Sequence, residues 1–257
     1  EIPKRDWSSD VCSSDLQNMI PFQPQFDPQG VRYDPAKLKY IGSANSESSV
    51  AFVWRTSPVQ TFTDLQKRET MMAGANGAVS AQYARAMNEL AGTKIKLITG
   101  YAGATQAMLA IERGEVEGYP ASFWATLKST KPDWLAKKDI RILVQMAMKK
   151  HPDLQDVPLI FDYIKNDVDR SAVELMVAPL LGGRPFLAPQ DTPAAQVKQL
   201  RDAFAATIKD PEFLAEAEKR KLEIQFVSGE ELEATVARTA KLSPELVARV
   251  KAIYEAK

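Results

Sequence analysis

Cysteine and histidine are almost missing from this chain, one of each in 257 residues. That excludes intrachain disulfides and zinc sites built from those residues. It also leaves a Cys–His or Ser–His catalytic pair little to be built from. Net charge is missing as well, because lysine plus arginine and aspartate plus glutamate both number 33. A duplex-binding protein carries a basic excess, so nucleic acid is not expected as a partner. Zero net charge sets up no overall field for steering an anion, so any anion site must be local. No apolar run of about 18 residues occurs, so no membrane-spanning helix and no direct membrane insertion is expected. What is present is ordinary: 45% hydrophobic and 26% charged residues describe a globular chain rather than a disordered tail, a collagen or a coiled coil. The length suits one large domain or two of about 100–200 residues each.

Residues 1–16, EIPKRDWSSDVCSSDL, stand apart. They contain a near-duplicate, WSSD followed by CSSD, and show neither helical nor strand periodicity. They lack the apolar core of a secretory signal. The run resembles translated sequencing adapter, so it is treated as non-native, and Cys12 goes with it.

From residue 38 onward strand and helix signals alternate. Strands are expected at 50–54, 70–73, 94–99, 116–119, 140–146, 184–188 and 222–227. Residues 140–146 are apolar on both faces, as in strands inside parallel sheets. Thr61 and Asp64 have capping-box spacing before a short helix. Tyr83, Met87 and Leu90 mark a second helix, and Met108, Leu109 and Ile111 a third that ends near Gly114. Residues 121–129, 158–166 and 168–181 read as helical. Thr192-Pro193, Asp210-Pro211, Ser228 with Glu231, and Ser243-Pro244 open the four C-terminal helices. Alternation of this kind predicts an α/β protein with largely parallel sheet.

Two strand–helix turns could carry chemistry. Gly74, Asn76, Gly77, Ala78 and Ser80 lie in the first, and Tyr101, Gly103, Ala104 and Thr105 in the second. Ligands of open parallel sheets bind beyond the strands' carboxyl ends, where helix N-termini offer unpaired N–H groups and a positive dipole end. Asn76, Ser80, Tyr101 and Thr105 would add side-chain donors. The same small residues also serve tight packing alone. Ser122 and Phe123 are open between pocket and core, and Trp124 reads as core. Glu112, Glu115 and Glu117 fit a solvated helix end better than acid–base work. Asp162, Asp167 and Asp169 fit helix caps better than a calcium loop, which needs a glycine and a terminal glutamate. His151 is expected in a surface turn. No G-x-S-x-G, G-K-[ST], H-E-x-x-H or dinucleotide fingerprint occurs.

The motifs Tyr40-Ile41-Gly42-Ser43, LITGYAGATQAMLAIERGEVE at 97–117, Leu127-Lys128-Ser129 with Pro132-Asp133-Trp134-Leu135, HPDLQDVP at 151–158, GRPFLAP at 183–189 and KDPEF at 209–213 occur in order. Together they resemble the periplasmic solute-binding receptors of tripartite tricarboxylate transporters, the Bug or TctC-like family. The resemblance implies an α/β type II periplasmic-binding-protein fold, a Venus flytrap of two doubly wound lobes. It implies an N-terminally truncated member with the first lobe incomplete: 17–60 and 182–257 as the remnant of lobe 1, and 61–181 as lobe 2. It implies an exported receptor, not an enzyme and without a cofactor. Such a receptor captures a small carboxylate, a di- or tricarboxylate, an amino acid or an aromatic acid, and delivers it to the transporter's membrane subunits. The ligand-binding positions implied are Gly74, Asn76, Gly77, Ala78, Ser80, Tyr101, Gly103, Ala104, Thr105, Ser122 and Phe123. Departures from the family pattern are few. The loop at 75–79 is short of hydroxyls, so its role would rest on backbone N–H groups, and Gln190-Asp191 stands where Pro-Gly is usual. A ligand-sensing input module for a signalling partner and a Rossmann-like cofactor-dependent enzyme are the alternatives.

Overall fold

The computed structural model describes residues 21–22, 33–75, 78–220 and 222–255. Its elements in chain order begin with β1 (Lys39–Ser43), β2 (Ser49–Trp54), α1 (Phe62–Lys67), β3 (Thr70–Ala73), α2 (Val79–Ala91), β4 (Ile95–Ile98) and α3 (Ala104–Glu112). Then come β5 (Gly118–Phe123), α4 (Trp124–Thr130), α5 (Pro132–Ala136), β6 (Ile140–Met146), α6 (Asp167–Leu181), β7 (Pro185–Ala188), α7 (Ala194–Thr207), α8 (Pro211–Lys219), β8 (Val227–Ser228), α9 (Gly229–Thr239) and α10 (Pro244–Glu255). No helix among the described residues is long and apolar enough to cross a membrane.

The chain divides into two compact units. The first joins the described residues up to Ser46 with Gly182–Lys241, and the second joins Glu47–Leu181 with Leu242–Lys257. The break after Leu181 is where the sequence reading put it, whereas the first break falls at 46 rather than 60, and residues 242–257 join the second unit rather than the first. β2 hydrogen-bonds into the sheet of the second unit, and α10 packs on α2 and α6 there.

In the first unit β1 is the middle of a three-stranded sheet of order β7–β1–β8, antiparallel throughout. Helices α7 and α9 pack on β1. Arg201 ties them together: its Nε donates to the Tyr40 carbonyl at 2.8 Å, and its guanidinium pairs with Glu230 at 2.9 Å and Glu233 at 2.7 Å. The Asp210 carboxylate caps α8 by accepting from Glu212 N and Phe213 N, both at 2.9 Å. The sequence pattern at 222–227 yields a strand only at Val227–Ser228, since no neighbouring ladder takes up the rest and Leu222 stays exposed.

The second unit holds a five-stranded sheet of order β4–β3–β5–β2–β6. β3 is parallel to both β4 and β5, whereas β2 is antiparallel to β5 and to β6. The expectation of a largely parallel sheet is therefore corrected to a mixed one. β6 is an antiparallel edge strand. Its two-sided apolarity reflects cover, because Leu159 bridges to Gln145 and the 3-10 turn Ile160–Tyr163 packs beside the strand. That cover also replaces the helix expected at 158–166. One face of the sheet carries Val50, Phe52, Ile111, Tyr119, Trp124 and Trp134 in a single apolar cluster. The other is covered by α2, where Tyr83, Met87 and Leu90 are buried as their spacing predicts.

The three glutamates set aside in the sequence are all occupied. Glu112 accepts from Lys131 and from Trp134 Nε1, both at 2.9 Å. Glu115 lies 3.8 Å from Arg113. Glu117 accepts from Arg68 at 2.6 and 3.2 Å, from Ser57 Oγ at 2.8 Å and from Met71 N at 3.4 Å. Burial alone would raise its pKa, but these donors and the Arg68 charge outweigh it and hold the carboxyl below its ordinary value. A depressed folded pKa gives stability that is present above the unfolded value of about 4.3 and is lost as pH falls through the folded one. Urea unfolding of Glu117→Gln is therefore expected to show a lower midpoint than wild type at pH 7. The gap should close as pH falls below about 4. A constant gap at every pH would remove ionised Glu117 from the account.

Candidate functional site

Strand order decides the site. In the sequence of neighbours β4–β3–β5 all three strands point the same way, so their carboxyl ends share one edge. Each then enters a helix: β4 leads to α3, β3 to α2, and β5 directly to α4. Three N-termini with positive dipole ends are gathered along this edge, although the first N–H of α4, at Trp124, is taken by the Ser48 carbonyl. None is closed by its own N-cap side chain, since Ala78, Gly103 and Phe123 occupy those positions. Some helices elsewhere are closed by side chains, whereas α5 and α7, with Lys131 and Pro193 as N-caps, are not. Asp64 caps α1 by accepting from Thr61 N at 2.9 Å, Asp210 caps α8, and Ser228 Oγ accepts from Glu231 N at 3.2 Å in α9.

The expected positions fall along this edge with different duties. Gly74 is buried, and its N–H donates to the Ile98 carbonyl at 3.0 Å. An added Cβ would sit 2.5 Å from Leu97 Cδ1, so Gly74 is a packing glycine between β3 and β4. Asn76 and Gly77 lie outside the described residues. Ala78 caps α2, and Val79 N and Ser80 N donate to no described residue. Ser80 Oγ accepts from Ala75 N at 3.3 Å, so this buried serine braces the turn.

Tyr101 packs against the apolar cluster. Its partial burial and then the Glu115 charge push the phenol's pKa up, which keeps it a neutral donor. Gly103 has an extended backbone and open space where a Cβ would be. The residue in this loop that needs to be glycine is Gly100, at φ +108°. Ala104 and Thr105 are exposed in the first turn of α3. The N–H groups of Ala104, Thr105 and Gln106 donate to no described residue, while Gln106 Oε1 accepts from Ala102 N at 2.9 Å.

Ser122 and Phe123 are not helical, as the sequence suggested. They end β5, because their backbone pairs with Val50 and Ser49 of β2 and holds the chain extended to Phe123. Ser122 is buried, Phe123 half-buried, and Trp124 lies in the core as expected.

Sequence reading missed the neighbours β2 and β6 bring to this edge. Ser48 and Ser49 lie at the start of β2, and the Ser48 carbonyl accepts from Trp124 N at 2.8 Å. Near the end of β6, buried Gln145 organises the next loop. Its Nε2 donates to the carbonyls of Leu154 and Val157, both at 2.9 Å, and its Oε1 accepts from His151 N at 2.8 Å. His151 is thus 3% exposed and not on the surface, with Nδ1 accepting from Asp153 N at 3.0 Å. The Asp153 carboxylate accepts from Lys128 at 2.7 Å and from Trp124 Nε1 at 3.0 Å. The polar run SESS before β2 was visible in the sequence, but nothing local said which edge it would meet.

A cavity of about 250 Å³ lies elsewhere, against Trp54, Arg68, Met71, Ile111 and Glu117. Its charged groups already neutralise each other, so it offers an anion nothing unpaired. Among the described residues no group of three His, Cys, Asp or Glu could hold a metal ion.

A family described as "Tripartite tricarboxylate transporter family receptor" matches residues 17–256. No curated protein matches the chain. Among solved structures, a TctC solute-binding protein from Polaromonas without ligand is 17% identical with a TM-score of 0.64, covering 90% of this chain and 75% of that one. The periplasmic binding protein BugD is 18% identical with a TM-score of 0.50, covering 93% and 76%. A structure described as a periplasmic transporter is 19% identical with a TM-score of 0.50, covering 95% and 75%. These likenesses show the type II periplasmic-binding-protein fold.

Proposed function

The chain belongs to the tripartite tricarboxylate transporter receptor family, and on that premise we propose that it is an exported receptor that captures a small carboxylate at the β4–β3–β5 edge. The captured ligand is handed to the membrane subunits of a tripartite transporter in the periplasm. The observation that carries this reading is the row of three helix N-termini, none closed by its own cap residue, on adjacent parallel strand ends. A carboxylate gains about 0.3–1 kcal/mol from one exposed helix end, more where partly buried, so several ends acting together suit an anion in a protein of zero net charge. The neutral Tyr101 phenol supplies a donor without adding charge. Recognition by dipoles and N–H groups needs no turnover, so the role is binding and not catalysis.

Titration calorimetry with succinate, citrate, glutamate and benzoate tests the reading. A saturable heat with at least one of them is expected. No heat across the panel would overturn the proposal.

A further inference from the structure

Ser49 opens β2 and is 1% exposed, yet its Oγ has no hydrogen-bond partner among the described residues. A buried hydroxyl left without a partner costs stability, and such exceptions in a folded protein call for a reason. The sheet supplies one. β2 runs antiparallel to β5, so its first residue stands at the edge where β5 ends. Ser49 lies opposite Phe123 on one side and Met146 on the other. Directly opposed residues project on the same face, so Ser49 is flanked there by the fully buried Met146 and by Phe123, of which Phe123 is the one that is partly exposed. Ser48 is already tied to the start of α4 through its carbonyl, which fixes Ser49 beside that helix end.

We propose that Ser49 is a specificity-determining residue of the carboxylate site: its hydroxyl donates a hydrogen bond to the bound carboxylate when the Phe123 side chain moves aside. The inference rests on the receptor reading above. It assigns a cost to the unliganded protein and a gain to the bound one, because the ligand supplies the acceptor that the chain lacks. The other serines at this edge differ. Ser80 Oγ is engaged by Ala75 N, and Ser122 lies on the opposite face, paired with Val50.

That opposition of signs is the test. Ser49→Ala in the full chain removes the unsatisfied hydroxyl without adding bulk. Its unliganded thermal midpoint is expected to equal or exceed that of wild type. Its affinity for whichever of succinate, citrate, glutamate or benzoate the wild type binds is expected to fall tenfold or more. Unchanged affinity would overturn the assignment while leaving the receptor reading intact. A lowered unliganded midpoint would also overturn it, by showing that the hydroxyl already serves the fold. If the wild type itself binds none of the four, the receptor reading fails and Ser49's role falls with it.

Discussion

Replacing Ala104 with aspartate is expected to abolish carboxylate binding while leaving the protein as stable as before, or slightly more so. Ala104 is the first residue of α3 and is exposed, and the N–H groups of residues 104–106 donate to no described residue. An aspartate there meets the positive end of the helix, an interaction that favours folding by about 0.3–1 kcal/mol. The same carboxylate would stand where the proposed site places the ligand's. Two like charges about 5 Å apart at an effective dielectric near 20 repel by about 3 kcal/mol, more than a hundredfold in affinity. Calorimetry and thermal melting of the same sample separate the two effects. Ala104→Asn keeps the size without the charge and should lose far less affinity. Undiminished binding by Ala104→Asp would take the α3 end out of the site.

Gly118→Ala should have the opposite profile and unfold the second unit. Gly118 lies between β3 and β2, opposite Met72 and Val53. An added Cβ would sit 2.1 Å from the Phe52 carbonyl oxygen and 2.9 Å from Val53 Cα. Both obstacles are backbone of the central sheet, so relief requires breaking β2–β5 pairing rather than turning a side chain. A loss of about 4 kcal/mol or more is expected, of the size seen when overpacking has no outlet, measured as a fall in the urea midpoint. β5 also carries Ser122 and Phe123 to the proposed binding edge, so ligand binding should vanish with the fold. Gly103→Ala is the matched control. Its Cβ meets nothing within 4 Å, and a gain of about 0.4–1 kcal/mol from the stiffened unfolded chain is the expected limit. If Gly118→Ala melts like wild type, the close approach of β2 and β5 is not what holds this sheet.

Local chemistry in the sequence carried much of this. The Thr61–Asp64 cap and the starts at Asp210 and Ser228 are one-turn interactions, so they were legible where they occur. The buried stripe of α2 follows from spacing alone. Errors arose where distant residues decide. Residues 121–123 have helix-compatible composition, yet pairing with β2 holds them extended. His151 sits among polar neighbours in sequence, yet Gln145 pulls its backbone inward from across the loop. β6 is apolar on both faces because a later segment covers it, and burial does not encode strand direction.

By itself, then, the sequence determined the class of element at most positions, the neutral charge balance that makes an anion site local, and the turns from which such a site could be built. Only the tertiary structure decided that β4, β3 and β5 are adjacent and parallel, which gathers three helix ends on one edge, and that β2 arrives antiparallel with Ser49 beside them. Caps and amphipathic stripes arise within a turn or two of chain. Strand order and register arise from hydrogen bonds between residues many tens of positions apart, whose partners no local pattern names.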